Sequence, residues 1–198
     1  MTADHPSRII GIASSAGGLS ALTRLLELVE PTIAAPILVV QHLAPSPPSM
    51  LAEILDRCTN LQVNEAREGA RAVPGAVYVA TPGLHLTMSD DCHLSLSAAP
   101  AVGFLRPRAD LLFESLARTF AERTIAVILS GTGADGAVGA RAVHARAGAV
   151  IVQDPSSAEF AGMPAAALAT GAVDEVLELE EIALRLHALA AGPVEAPE

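Results

Sequence analysis

Lysine is absent from this sequence of 198 residues, because all 12 basic residues are arginine. The absence excludes a lysine that contacts phosphates in a Walker-type loop, and equally a lysine that forms a Schiff base with a carbonyl substrate. The arginines are outnumbered by 22 Asp and Glu residues, which gives a formal net charge of -10 at pH 7. Since the arginines also form no local cluster, we expect no nucleic-acid partner.

Cysteine is scarce as well, with Cys58 and Cys92 as the two examples. A chain of this length buries enough apolar surface to fold without covalent cross-links, so we expect reduced, structural thiols rather than a disulfide framework. No set of His, Cys, Asp or Glu residues shows the spacing of a zinc site or an EF-hand. We therefore expect neither a metal ion nor a cofactor.

Long hydrophobic runs are missing, although hydrophobic residues make up 51% of the chain. Runs such as 36–40 and 124–129 are far shorter than the roughly 18 apolar residues that a membrane-spanning helix needs, and have the length of buried strands. Residues 1–8 also lack the basic start and apolar middle of a signal peptide. The sequence thus predicts a cytoplasmic protein without membrane insertion.

Short apolar strands alternate with amphipathic helices along the chain. The predicted strands are residues 8–13, 36–41, 61–63, 76–80, 125–129, 149–152 and 173–177. The first predicted helix begins near Leu19. Further helices are predicted over residues 50–55, 109–122, 135–146, 164–169 and 180–189. Two further apolar runs, 84–88 and 93–96, flank Ser89, Asp90 and Asp91 and predict a small hairpin.

This alternation is typical of an α/β fold: a doubly wound, mostly parallel sheet flanked by helices, here with a small added β-hairpin. We expect one domain over residues 1–190 and a flexible tail over residues 191–198.

Polar residues stand directly after three of the predicted strands. In an open α/β sheet, ligands bind in the crevice beyond the carboxyl ends of the strands. Ser14 and Ser15 follow the first strand, His42 follows the second, and Asp135 lies in a glycine-rich segment after the strand at 125–129. A serine whose proton is taken by a histidine, with an aspartate holding the histidine Nδ1–H, is the arrangement of a serine hydrolase.

Each of these residues also has a simpler interpretation. The serines would cap the following helix, His42 would be an ordinary packed residue, and Asp135 would favour the helix dipole. Asp154, which follows a later strand, is a rival for Asp135. Capping needs a single serine, however, and the three strand ends meet in one crevice, so the set favours a hydrolase. The alternative is a non-catalytic signalling or ligand-binding module on the same fold.

The glycine-rich loops at these strand ends point backbone N–H groups into the crevice. Such groups stabilise an oxyanion or bind substrate. The candidates for this role are Ala16, Gly17, Gly131, Thr132 and Gly133.

The sequence resembles the catalytic domain of the bacterial chemotaxis protein-glutamate methylesterase family, from about Arg8 to Leu189. The resemblance rests on GIASSAGG (11–18), VVQH (39–42), GAVYVATPGLHL (75–86), FLRPRADLLF (104–113), SGTGADG (130–136) and GMP (162–164). It implies that Ser15, rather than Ser14, is the nucleophile, with His42 and Asp135 completing the triad. The chain departs from the family at Ala16 and Thr132, where the family often has Thr and Met.

The resemblance also implies an activity and its partners. The family hydrolyses glutamate methyl esters on chemoreceptors, and a deamidation of receptor glutamines is implied on the same site. The expected partner is a methylated chemoreceptor or a related signalling protein. The family usually carries an N-terminal receiver domain, but Met1 lies just before the first strand, so we expect no regulation by phosphorylation within this chain; a separate protein is the other source of regulation.

Overall fold

The computed structural model describes residues 6–42, 50–100 and 105–192. Within these ranges the strands are β1 (Ile9–Ser14), β2 (Ile37–Gln41), β3 (Gln62–Glu65), β4 (Ala76–Val79), β5 (His85–Met88), β6 (Leu94–Ser97), β7 (Thr124–Ile128), β8 (Ala149–Gln153) and β9 (Glu175–Leu177). The helices are α1 (Gly18–Leu28), α2 (Leu51–Asp56), α3 (Ala109–Phe120), α4 (Ala137–His144), α5 (Gly162–Leu168) and α6 (Leu179–Ala190). A 3₁₀ turn, Ala121–Arg123, follows α3.

Seven of the strands form one parallel sheet in the order β3-β4-β2-β1-β7-β8-β9. The chain winds outward from β1 on one side and then returns to β7 on the other. The register pairs Ser14 with Gln41 and Ala13 with Ile128, so the carboxyl ends of β2, β1 and β7 lie together. This reversal of strand order is where α/β sheets bind ligands.

Both faces of the sheet are buried, which explains the continuous apolar strands. Every residue of β1 is buried: Ile9 and Ala13 face the core beneath α3, α4 and α5, and Ile10 and Ile12 face the core beneath α1, α2 and α6. Burying an isoleucine side chain contributes about 1.5–3 kcal/mol. The predicted doubly wound sheet is confirmed.

The predicted hairpin is confirmed as the antiparallel pair β5–β6. It forms a separate two-stranded sheet that packs on α3: Leu86, Met88 and Leu94 enter the core on that side. The backbone N–H of Met88 donates to Ser115 Oγ at 3.0 Å.

Several boundaries differ from the predicted ones. The helix predicted from residue 135 begins at Ala137, because Gly136 before it has a left-handed φ of 94°. The last strand is shortened to Glu175–Leu177.

Cys58 and Cys92 are free thiols, as predicted. The predicted tail lies mostly outside the described residues, and the domain limits stay a prediction. Of the helices in the described ranges, none combines the length and apolarity needed to cross a bilayer.

Candidate active site

A tight turn between β1 and α1 carries Ser15. A Cβ added to Gly17, whose φ is 70°, would lie 2.7 Å from Ser130 Oγ, and one added to Gly18 would lie 2.2 Å from Gln41 Oε1. Both distances are too short for real contacts, so the turn requires glycine at these two positions. The sequence G-G therefore sets Ser15 at the carboxyl end of β1.

The two neighbouring serines have different surroundings. Ser14 is fully buried, and its hydroxyl donates to Gln41 Oε1 at 2.5 Å. Ser15 is partly exposed. The interpretation of these serines as helix caps is wrong: the N-cap of α1 is Gly17, and no side chain bonds the first turn. Ser15 is thus the serine that a substrate can reach.

Gln41 connects the ends of β1 and β2. Its Nε2 donates to the carbonyl oxygen of Ser15 at 2.7 Å and to that of His42 at 3.2 Å. The sequence predicts no role for Gln41 beyond its place in the motif VVQH. The available signal was an amide at the end of an otherwise apolar strand, where burial requires hydrogen-bond partners.

His42 and Asp135 form a hydrogen bond of 2.7 Å between Nε2 and Oδ2. Their side chains are 10% and 2% exposed. The ring nitrogen differs from the prediction, which gave Nδ1 to the aspartate. The reason is the sheet order: β1 lies between β2 and β7, and neighbouring strands are about 4.8 Å apart. His42 must therefore reach across the end of β1, and Nε2 is the nitrogen farther from its backbone.

Ser15 and His42 are not hydrogen-bonded to each other, although the sequence predicted this contact. Among the described residues, the His42 ring bonds to Asp135 alone. Such contacts in sites without substrate are commonly long and tighten when substrate binds.

The carboxylate of Asp135 accepts hydrogen bonds from the start of α3. Oδ2 accepts from the N–H of Ala109 at 2.7 Å, and Oδ1 from the N–H of Asp110 at 3.1 Å. Burial acts to raise the pKa of Asp135, but the hydrogen bonds from His42, Ala109 and Asp110 outweigh it and hold the pKa below its usual value of 3.8. Asp135 is therefore ionised at neutral pH.

Asp110 makes the reciprocal contacts to the start of α4. Its Oδ1 accepts from the N–H groups of Gly136 and Gly139, each at 2.9 Å. Arg108 Nη2 donates to Asp110 Oδ2 at 2.8 Å, and its Nε lies 3.4 Å from Asp135 Oδ1. No role for Arg108 or Asp110 is predicted from the sequence. The available signal was an Arg-x-Asp pair at a predicted helix start.

The glycine-rich loop after β7 lies against Ser15. A Cβ added to Gly131 would be 2.2 Å from Met163 Sδ and 3.0 Å from Ser15 Cβ. The N–H of Gly131 donates to the carbonyl of Phe160 at 2.9 Å, so it is not free for a substrate oxygen. Thr132, next in the loop, is exposed.

Ser130 fastens the nucleophile turn to β7. Its carbonyl accepts from the N–H of Ser15 at 3.0 Å, and its hydroxyl donates to the carbonyl of Ala16 at 2.8 Å. Within the described ranges, the N–H groups of Ala16, Gly17, Thr132 and Gly133 have no protein acceptor. These four predicted positions can still donate to a ligand.

Asp154, the rival for Asp135, lies elsewhere. Its side chain accepts from the N–H of Ser156 at 2.7 Å within its own exposed loop. The part of the chain that the structure describes contains no group of three His, Cys, Asp or Glu residues placed to hold a metal ion.

A doubly wound α/β domain that brings a reachable serine beside a buried histidine–aspartate pair has the architecture of a hydrolytic enzyme. The chain belongs to the CheB methylesterase family: the family model described as CheB methylesterase matches residues 10–186. The resemblance found in the sequence is thereby confirmed.

Individual relatives agree with this assignment. A "putative protein-glutamate methylesterase/protein-glutamine glutaminase" of Leptospira interrogans is 38% identical over 180 residues, which cover 91% of this chain and 92% of the relative. The "protein-glutamate methylesterase/protein-glutamine glutaminase 1" of Myxococcus xanthus is 40% identical over 193 residues, covering 95% of this chain and 55% of the relative. The crystal structure of the Thermotoga maritima CheB methylesterase catalytic domain superposes with a TM-score of 0.86 at 34% identity, over 92% of this chain and 98% of that one.

Proposed function

We propose that this protein is a protein-glutamate methylesterase, which hydrolyses the methyl ester of a glutamate side chain on a methylated chemoreceptor. The products are the glutamate carboxylate and methanol. The family and the names of its relatives support the reaction class. The observation that carries the proposal is the 2.7 Å contact between His42 and Asp135 beside Ser15.

Acyl transfer begins at Ser15. Its Oγ attacks the ester carbonyl while His42 takes the hydroxyl proton. Because Nε2 is bound to Asp135, the nitrogen that accepts this proton is Nδ1. Asp135, ionised and hydrogen-bonded to Nε2–H, orients the ring and stabilises the imidazolium that forms.

The oxyanion of the tetrahedral intermediate is stabilised by backbone N–H groups from the two loops. We assign this role to Ala16 and Thr132, with Gly17 and Gly133 beside them. Gly131 is excluded from it because its N–H already donates to Phe160. Loss of one such donor typically lowers kcat by about 10²–10³-fold. Since only the backbone contributes, the family departures at Ala16 and Thr132 are compatible with activity.

The second half of the reaction regenerates the enzyme. The His42 imidazolium protonates the departing methoxide oxygen. Methanol leaves, and the acyl group stays bound to Ser15 Oγ. His42 then takes a proton from a water molecule that attacks the acyl carbonyl. The bond between the acyl carbon and Ser15 Oγ breaks, the His42 imidazolium returns the proton to Oγ, and the glutamate carboxylate is released. The same steps with ammonia as the leaving group hydrolyse a glutamine side chain. We extend the proposal to this deamidation, which the names of the relatives include.

A non-catalytic binding module on this fold is less consistent with the site. Such a module has no need for a reachable hydroxyl beside a buried histidine–aspartate pair, since burying the pair costs desolvation. The cytoplasmic location and a separate regulatory protein stay predictions.

Methanol release from a panel of methylated receptors tests the proposal. The wild-type protein should release methanol from at least one receptor, and Ser15→Ala should abolish the release without changing the thermal melting temperature. Ser20→Ala, at an exposed serine on α1, is the matched control and should keep full activity. Methanol release retained in a folded Ser15→Ala protein would contradict the proposal.

A further inference from the structure

Two buried carboxylates connect the starts of α3 and α4, each bonding to the start of the other helix. Asp135, just before α4, accepts from the first two N–H groups of α3. Asp110, in the first turn of α3, accepts from the N–H of Gly136, directly before α4, and from that of Gly139 in its first turn. Helix starts favour negative charge, so each site suits a carboxylate. The hydrolytic mechanism uses only Asp135, and Asp110 is left without a role in it.

Arg108 lies between these two carboxylates. It donates to Asp110 through Nε and Nη2 at 3.2 and 2.8 Å, and its Nε is 3.4 Å from Asp135 Oδ1. The side chain of Arg108 is 22% exposed, whereas those of Asp110 and Asp135 are 3% and 2% exposed. The guanidinium of Arg108 thus neutralises part of the negative charge of two carboxylates that are almost fully buried.

We propose that Arg108 and Asp110 are positioning residues that act on the reaction through Asp135. The inference rests on the proposed function of the triad. Asp110 fixes the backbone of Gly136, directly after Asp135, and so fixes the direction from which that carboxylate meets His42. Arg108 holds both carboxylates and balances the negative charge that the imidazolium meets during the reaction.

The two residues carry opposite charges, so their removal has opposite effects on His42. Neutralising Arg108 removes a cation from the surroundings of the imidazole, which favours the protonated ring. Neutralising Asp110 removes an anion and favours the neutral ring. Besides Asp110, the charged groups in the described residues that act on Arg108 are Asp135 and Glu114 on α3. Neither changes in these variants.

A purely structural role predicts a different pattern. If Arg108 and Asp110 only held the fold, either substitution would loosen Asp135 from His42. The ring would then lose its anionic partner in both variants, and both would favour the neutral ring. The direction of the change in the Arg108 variant therefore separates the two accounts.

NMR titration of the His42 ring proton, assigned with His42→Ala, is the primary measurement. Arg108→Gln should move the midpoint upward by about half to one pH unit, and Asp110→Asn should move it downward by a similar amount. The double variant should return close to the wild type, and Arg108→Lys, which keeps the charge, should stay there. Arg108→Met serves in place of Arg108→Gln if the latter fails to fold.

An exposed Arg–Asp pair at the other end of α3 supplies matched controls. Arg118 Nε lies 3.1 Å from Asp90 Oδ1, and both side chains are more than half exposed. Arg118→Gln and Asp90→Asn should leave the His42 midpoint within about 0.1 pH unit of the wild-type value, because solvent and salt screen exposed charges at the far end of α3 from His42. A second readout is the rate at which a fluorophosphonate labels the protein as a function of pH, whose acid limb should move in the same directions.

A downward shift in a folded neutral Arg108 variant, or no shift in either residue's variants, overturns the proposal. The NMR readout needs no receptor, so it stays decisive even if no methanol is released. In that case the proposed esterase activity fails while the coupling of Arg108 and Asp110 to His42 is still measured.

Discussion

The ring of His42 meets Asp135 through Nε2, and among the described residues its Nδ1 makes no hydrogen bond. The strand order β2-β1-β7 causes this arrangement, because the side chain after β2 has to pass over the end of β1 to reach the loop after β7. Ser15 stands at that end. The same strand order therefore places Ser15, at the end of β1, beside the direct contact between His42 and Asp135.

Gln41 is predicted to control how Ser15 and His42 face each other. Gln41→Glu replaces an amide that donates to both carbonyl oxygens by a group that repels them when ionised. We expect kcat for methanol release to fall about 10–100-fold with little change in KM, since misplacement of about 1 Å costs roughly that much. Steady-state kinetics together with thermal melting checks this result.

The control for Gln41 is Gln62→Glu, the same substitution at an exposed position of β3. It should leave both constants unchanged. A folded Gln41→Glu protein with kcat within two-fold of the wild type would show that the bridge between the two carbonyls has no catalytic effect.

Gly131 is predicted to tolerate no side chain. In Gly131→Ala the new methyl group would overlap Met163 and press on Ser15, so the nucleophile turn must shift. We expect a loss of at least about 100-fold in kcat, in keeping with a displaced nucleophile. Thr132→Ala is the matched control: it keeps the backbone N–H and lies at an exposed position, so its kcat should stay within about three-fold. Equal losses in the two variants would contradict the assignment of Thr132 to a backbone role.

Asp135 is predicted to make stability depend on pH in the acid range. The pKa of Asp135 in the folded protein lies below its usual value of 3.8. The ionised carboxylate therefore stabilises the fold at pH values above the pKa that Asp135 has in the unfolded chain. This stabilisation is lost as the pH falls through the lower, folded pKa. Urea denaturation should show that the difference in unfolding free energy between wild type and Asp135→Asn shrinks from pH 5 to pH 3. A difference that stays constant or grows would contradict the depressed pKa.

Local sequence signals predict much of the fold and the three central residues. Apolar runs with the length of strands gave the sheet, and the rule that ligands bind at strand ends selected His42 and Asp135. The contacts that sequence reasoning missed depend on strand order or on distant loops. The choice of Nε2 follows from β1 lying between β2 and β7, and the N–H of Gly131 is used by Phe160 from a loop about thirty residues away.

Arg108 and Asp110 show the same difference. A charged residue at a helix start is ordinarily interpreted as favourable to the helix dipole, and nothing local indicates that its carboxylate caps a different helix. The packing of α3 against α4 decides that contact, and it becomes visible only when both helices are in place.

Covalent trapping of the nucleophile shows directly whether Ser15 is the residue that attacks the substrate. The wild-type protein is treated with a fluorophosphonate and digested with trypsin, and the peptide of residues 9–24, which contains Ser14, Ser15 and Ser20, is sequenced by mass spectrometry. We expect a phosphonyl group on Ser15 alone and its loss in a folded His42→Ala protein. An adduct on Ser14, or unchanged labelling of Ser15 without His42, would contradict this prediction.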